Sequence, residues 1–100
     1  MKHHYVPSTP DNVAWGYFDS TRESVLEIDS GDSVTFDTLS GEPEDMPASD
    51  LGFDILPEHL SVHEHCDRGR GPHFLTGPVA VRGAQPGDVL EVRILSCELR

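Results

Sequence analysis

Short runs of β-forming residues alternate with glycine- and proline-rich breaks along this chain. Two of these runs, residues 25–28 and 33–38, flank a Ser-Gly-Asp turn. Within the second run Val34 and Phe36 alternate with polar residues, a period of two that is typical of a half-buried strand. Two β-rich runs around a tight turn predict a hairpin.

The last third of the chain shows the same pattern. We expect a short strand at residues 79–81, a tight turn at Pro86-Gly87, and a strand over residues 89–95, where apolar and charged positions alternate. The turn before this strand repeats the Gly-Asp pair at the start of the earlier run. Because Gly-Asp turns are common in β proteins, we interpret the repeat as shared turn chemistry rather than a duplication.

An aromatic segment at residues 13–18 is expected to form a short strand or a packed loop, with Trp15 and Phe18 covering the edge of a core. Residues 39–72 are rich in proline, glycine and acids, and we expect a long irregular loop with one short helix near residues 57–64. The pattern as a whole predicts a mainly β fold, a hairpin-rich sandwich or barrel-like sheet that belongs to a larger β-rich domain.

Composition narrows the choice of partners. The 100 residues allow one domain at most, and the formal net charge of −11 disfavours nucleic acid and anionic membranes as partners. No apolar run reaches membrane-spanning length, and the N-terminus has no apolar segment of a secretory signal. The two cysteines, Cys66 and Cys97, form no disulfide framework and indicate reduced thiols in a cytoplasmic protein.

Two segments contain side chains that could carry chemistry. Gly-Pro turns bracket His73 and Thr76, and such rigid turns suit an imidazole and a hydroxyl held in fixed positions. The alternative is a plain turn with a hydrogen-bonded histidine.

The second segment holds His59, His63 and His65 beside Cys66. The first two histidines share a face on a helix, and the last two share a face on a strand, so either pair could grip zinc. The cysteine could also be an activated thiolate. No complete metal signature is present, and a hydrated histidine-rich loop is the alternative.

An ordered set of motifs resembles one known family. The segment GPHFLTGPVAVRGAQPGDVLEVRI, residues 71–94, is similar to the GPHxxTGPVxVxGAxPGDxLxVxI signature of the acetamidase/formamidase family. The WGYF segment that starts at Trp15 and the turn at residues 30–34 also resemble the start of that family. The resemblance runs from about Trp15 to Leu95.

The resemblance implies packed β-sheets with few helices, and hydrolysis of carbon–nitrogen bonds in small linear amides such as formamide and acetamide, with release of ammonia. It further implies a divalent metal, zinc or calcium, and cytoplasmic homo-oligomers. Family members are several times longer, so residues 1–100 are expected to be an N-terminal portion that is inactive alone.

Three residues inherit roles from the resemblance. His73 and Thr76 match the signature and are the expected catalytic residues, and His73 and Asp37 are the expected metal ligands. A metal-bound water would attack the amide carbonyl. Ala80 departs from the larger side chain that is commoner in the family. Two alternatives stay open: a truncated, non-catalytic β module, and a metal-binding fragment built on the histidine loop.

Overall fold

The computed structural model describes residues 1–100, which form six short strands and one α-helix. The helix, α1, runs over Pro57–His65, and three single-turn 3-10 helices cover Pro10–Asn12, Pro43–Asp45 and Ser49–Leu51. The strands are β1 (His3–Val6), β2 (Val13–Trp15), β3 (Leu26–Ile28), β4 (Ser33–Phe36), β5 (Phe74–Thr76) and β6 (Val79–Val81).

The strands pair into three separate two-stranded sheets. β1 pairs with β4 and β3 pairs with β6, both in parallel, while β2 and β5 are antiparallel. The prediction of a mainly β chain with few helices is confirmed. The three sheets do not join into a closed barrel.

The predicted hairpin over residues 25–38 is wrong. Both strands and the turn between them form, but β3 pairs with β6 and β4 pairs with β1, so the two strands on either side of the turn never pair with each other. The side chain of Asp32 explains this divergence. Its carboxylate accepts hydrogen bonds from the Lys2 backbone N–H at 2.9 Å and from His4 Nε2 at 2.9 Å, which hold the start of β4 against β1.

The two Gly-Asp turns have the same hydrogen-bond pattern. In the first, Asp32 N donates to Asp29 O at 3.0 Å and its carboxylate accepts from Asp29 N at 3.1 Å. In the second, Asp88 and Gln85 make the equivalent bonds at 3.0 and 2.9 Å. The glycine of each turn has a positive φ, as the third position of a type II turn requires. The predicted Pro86-Gly87 turn is thus confirmed.

The strand predicted over residues 89–95 is wrong for the isolated chain. The segment follows the second turn but pairs with no other strand, and its apolar side chains are exposed. Alternation specifies which side chains share a face, whereas a strand also needs a neighbour for its backbone hydrogen bonds.

The core is small and lies under α1. Val13, Leu39 and Val62 form its buried centre, and Val62 is fully enclosed. The helix predicted near residues 57–64 is confirmed, and it begins at Pro57, whose fixed φ suits the first helical position. This helix is too short and too polar to cross a membrane, and the chain has no other α-helix.

The aromatic segment divides into a buried and an exposed part. Trp15, at the end of β2, is 3% exposed, as predicted for a residue that covers the core. Phe18 is 91% exposed, so the expectation that it covers the core edge is wrong. The chain turns away from the sheet immediately after Trp15, at Gly16 with φ of 82°.

The hydrogen bonds that Lys2, His4 and Asp29 donate to the Asp32 carboxylate, here called the Asp32 clamp, should make the stability of the fold depend on pH in acid. Hydrogen bonds from the Lys2 backbone, then from His4 and the Asp29 backbone, hold the pKa of the Asp32 carboxyl far below its ordinary value of 3.8. A lowered folded-state pKa contributes stability that is complete above 3.8 and is lost as the pH falls through the folded value. We expect Asp32→Asn to unfold at lower urea concentration at pH 7 and to lose less stability between pH 4 and pH 2 than the wild type.

Urea unfolding across this pH range measures both effects. Asp50→Asn is the matched control, because Asp50 is exposed and its side chain makes no hydrogen bond or ion pair. A pH profile of Asp32→Asn that coincided with the wild type would show that the clamp does not stabilise the fold.

Candidate functional site

A glycine ladder fixes the Gly-Pro-His turn against β2. Gly69 N donates to Trp15 O at 2.7 Å, Gly71 N donates to Gly16 O at 2.8 Å, and Gly16 N donates to His73 O at 2.7 Å. A Cβ atom on Gly16 would collide with the carbonyl oxygen of Gly71. The close approach of two backbones therefore requires glycine here, and it positions the first half of the signature segment.

The two expected catalytic residues differ in their surroundings. His73 is exposed, and its imidazole makes no hydrogen bond or ion pair within the chain. Thr76 ends β5 and is half-buried, and its hydroxyl donates to the backbone carbonyl of Asp37 at 3.4 Å. The structure thus places Thr76 beside the residue that follows β4, while His73 is exposed to solvent.

Asp37 uses its carboxylate within the chain. Tyr5 Oη donates a hydrogen bond to it, which raises the pKa of the Tyr5 hydroxyl, and the Arg100 guanidinium lies 3.4 Å away. Arg100 also pairs with Glu58 and donates to Ser8 Oγ at 3.2 Å. The carboxylate expected to ligate a metal is therefore occupied by a hydroxyl and a cation.

The metal implied by the resemblance finds no complete ligand set in these residues. No three His, Cys, Asp or Glu side chains come together in a geometry that could hold a metal ion. His73 and Asp37 therefore do not form a metal site by themselves.

A cavity of about 200 Å³ lies where the two halves of the resembling sequence meet. Its walls come from the aromatic segment, from Asp19 and Arg22, and from residues 75–78 of the signature, which include Thr76. The lining residues are Ala14, Tyr17, Phe18, Asp19, Arg22, Leu75, Thr76, Gly77 and Pro78.

Arg22 supplies the positive charge of this cavity. Its guanidinium is half-buried and contacts Gly77 O at 3.4 Å, Asp11 O at 3.3 Å and the Tyr17 hydroxyl at 3.5 Å. These bonds are long and use uncharged acceptors, so the cation keeps capacity for an anionic or strongly polar ligand. The sequence does not single out Arg22, since nothing in its spacing links it to Gly77, more than fifty positions away.

Asp19 is the carboxylate of the cavity wall. Hydrogen bonds from the Thr21 hydroxyl, and then from the Thr21 backbone, lower its pKa below the ordinary value of 3.8. A carboxylate with a lowered pKa is ionised at neutral pH and is a weak proton acceptor. We therefore assign Asp19 to charge balance opposite Arg22 rather than to proton transfer.

A second polar cluster surrounds the Trp15 ring. Trp15 Nε1 donates to Glu42 Oε2 at 2.8 Å, Arg68 Nη2 pairs with the same oxygen at 3.0 Å, and the guanidinium lies 5.1 Å from the centre of the indole. Glu42 Oε1 is buried without a partner. This carboxylate depends on one indole and one guanidinium for compensation of its burial.

His59 and His63 do share one face of α1, but they do not form a free ligand pair. The Nε2 atom of each lies 2.9 Å from Gly41 O. A carbonyl only accepts hydrogen bonds, so both rings carry their proton on Nε2, and these nitrogens are not open to a metal. His65 is exposed, and its Nε2 atom lies 3.8 Å from Glu64 Oε2.

Cys66 is a protected thiol. Burial raises its pKa, and its Sγ lies 3.5 Å from Pro10 O. A raised pKa keeps the sulfur protonated at neutral pH, which argues against an activated thiolate. A second cavity, of about 270 Å³, lies beside this residue and Trp15.

The chain matches no model of a known protein family, and it matches no curated protein. The likeness to the acetamidase/formamidase family accordingly rests on the motifs in residues 15–95 alone, and membership stays a prediction.

Replacement of Arg68 should destabilise the fold more than replacement of the nearby Arg70, because only Arg68 pairs with the buried Glu42. Arg68→Ala leaves the buried Glu42 without its cation, so we expect a loss of about 1–3 kcal/mol in the free energy of unfolding. Arg70→Ala is the control, because Arg70 is exposed and makes no ion pair. Urea unfolding followed by Trp15 fluorescence measures both variants, and equal stabilities would contradict the role given to Arg68.

Proposed function

We propose that this chain belongs to a hydrolase that cleaves the carbon–nitrogen bond of small linear amides and releases ammonia. The observation that carries the proposal is the cavity of about 200 Å³. Tyr17 and Phe18 from the first resembling segment line it together with Thr76 and Gly77 from the second. Segments that each resemble the same family in sequence, yet lie far apart in the chain, contribute to the same wall.

The size and chemistry of the cavity suit an amide of the formamide or acetamide class. Its volume is below the roughly 300–1,000 Å³ of sites for drug-sized ligands. Aromatic and proline surfaces would contact the short alkyl end of the amide. The polar end needs hydrogen-bond partners, which the Thr76 hydroxyl and the Arg22 guanidinium can supply.

Each of these groups has a role in amide hydrolysis. Water adds to the carbonyl carbon, negative charge develops on the oxygen, and the nitrogen leaves as ammonia after it takes up a proton. Arg22 would stabilise the charge on oxygen and then the carboxylate product. Thr76 would orient the amide by a hydrogen bond. His73 is exposed and is not among the lining residues, so it would move the proton by way of a bridging water. The proposal uses no step on a metal, because this chain holds no complete ligand set.

The wider setting follows from the same resemblance. We propose that the three small sheets belong to a larger β-rich sandwich or barrel-like domain, and that the protein acts in the cytoplasm as a homo-oligomer without nucleic acid. In this setting further residues would complete the site around the cavity. The same view explains why residues 1–100 alone are expected to be inactive.

The direct test is ammonia release from formamide and acetamide by the protein in its natural length. We expect Thr76→Val to lower kcat/KM about tenfold, because one hydrogen bond to the substrate is lost. His73→Ala should lower kcat about 100-fold, the range expected for a proton-transfer group. Thr9→Val is the control and should leave the rate unchanged, because Thr9 is exposed and its hydroxyl makes no hydrogen bond.

Two results would overturn the proposal. One is the absence of ammonia release from any short linear amide. The other is equal turnover by the wild type, Thr76→Val and His73→Ala, which would place the chemistry elsewhere in the protein.

A further inference from the structure

The cavity that holds Thr76 contains one acid and one base. Among its lining residues only Asp19 and Arg22 carry a formal charge. The Arg22 charge contributes to the lowering of the Asp19 pKa, after the two hydrogen bonds from Thr21, so the two groups are close enough to interact. No ion pair joins them, and both border the same space. A ligand in that space can therefore contact both charges at once.

The two oxygens of the Asp19 carboxylate have different partners. Oδ1 accepts from the Thr21 backbone N–H at 2.9 Å and from the Thr21 hydroxyl at 2.6 Å. Oδ2 accepts no hydrogen bond from the chain. Because the bonds to Oδ1 fix the orientation of the carboxylate, Oδ2 is the acceptor that remains for a ligand.

Arg22 has the complementary property. Its contacts within the chain are 3.3 to 3.5 Å long and go to uncharged oxygens. A guanidinium has several N–H donors and no acceptor, so it can only donate to a ligand. The cavity thus presents a cationic donor and an anionic acceptor to the same molecule.

A primary amide is the neutral group that matches this pair. Its carbonyl oxygen accepts hydrogen bonds, its NH2 group donates them, and both are attached to one carbon atom. A carboxylate would suit Arg22 but would place a second negative charge against Asp19. An ester or a tertiary amide has the carbonyl oxygen and lacks the N–H, so the Asp19 acceptor would stay unpaired.

We propose that Asp19 selects primary amides by accepting a hydrogen bond from the substrate N–H at Oδ2, while Arg22 donates to the carbonyl oxygen. The inference rests on the amide hydrolase function proposed above and adds a specificity-determining residue to it. Thr21 positions the carboxylate. The substrate nitrogen keeps its proton in this contact, because an ionised carboxylate of lowered pKa is a weak base.

The same contact favours release of the product. Hydrolysis converts the neutral amide into a carboxylate and ammonia, so the N–H donor that faced Asp19 departs with the nitrogen. The new carboxylate is attracted by Arg22 and repelled by Asp19, and the two effects oppose each other. The cavity therefore holds the neutral substrate in preference to its anionic product.

Asp19→Asn tests this selection through a reversal of preference. The oxygen of the new side chain can keep both bonds from Thr21, which leaves an NH2 group where Oδ2 faced the ligand and removes the negative charge. In NMR titrations of the 100-residue chain at pH 7, we expect this variant to bind acetamide about tenfold more weakly than the wild type. It should bind acetate about tenfold more tightly, because a repulsion becomes a hydrogen bond.

Glu23→Gln is the matched control. Glu23 is exposed, lies outside the cavity lining and makes no ion pair, and its replacement removes the same charge from the chain. A general effect of net charge on acetate binding would appear in both variants, whereas the proposed contact appears only in Asp19→Asn. The Thr21 amide signal shows in each sample whether the turn is intact.

A comparison of ligands tests the same contact without any variant. N,N-dimethylacetamide has no N–H, so we expect it to bind the wild type about tenfold more weakly than acetamide does. Equal binding of the two ligands would overturn the proposal. So would the absence of saturable acetamide binding, or an Asp19→Asn variant that loses affinity for acetamide and acetate alike.

These outcomes differ from failure of the proposed function, which is the absence of ammonia release by the protein in its natural length. Acetamide binding that depends on Asp19, without turnover, would keep the contact and remove the hydrolase. Turnover of acetamide, with binding that does not depend on Asp19, would keep the hydrolase and remove the contact.

Discussion

The backbone and ring of Trp15 form the junction on which the described site depends. Its carbonyl accepts a hydrogen bond from the Gly69 N–H, and its strand pairs with β5. The centre of its ring lies 5.5 Å from that of His63 and 5.0 Å from that of Phe74. The indole N–H compensates the buried Glu42. Only six apolar residues of the chain are buried, so one residue that joins α1, β2, β5 and the long loop has a large share in their mutual placement.

The sequence predicts local structure better than it predicts pairing. Glycine, aspartate and proline specify the turns at residues 29–32 and 85–88 and the start of α1. Their conformational preferences act over only a few residues, so the local sequence is enough to predict these elements. The hairpin prediction is wrong because Asp32 bonds to Lys2 and His4, about thirty positions away. No periodicity in the local sequence contains that contact.

The sequence likewise predicts only part of the candidate site. The resemblance predicts Thr76, and the structure adds Arg22 and Tyr17 because the chain folds back over β5. His73 is fixed by its backbone carbonyl while its imidazole faces solvent, an arrangement that leaves the ring free for a ligand or for a proton. The signature is thus at once a structural turn and a wall of the cavity, and sequence alone cannot separate the two roles.

We propose that the cavity lined by Arg22 and Thr76 binds a small amide. Titration of the ¹⁵N-labelled chain with acetamide, followed by two-dimensional NMR, tests it without requiring turnover. We expect saturable shifts confined to the amide signals of residues 17–22 and 75–77. Shifts centred on His59 and His63 instead, or no saturable shift, would contradict it.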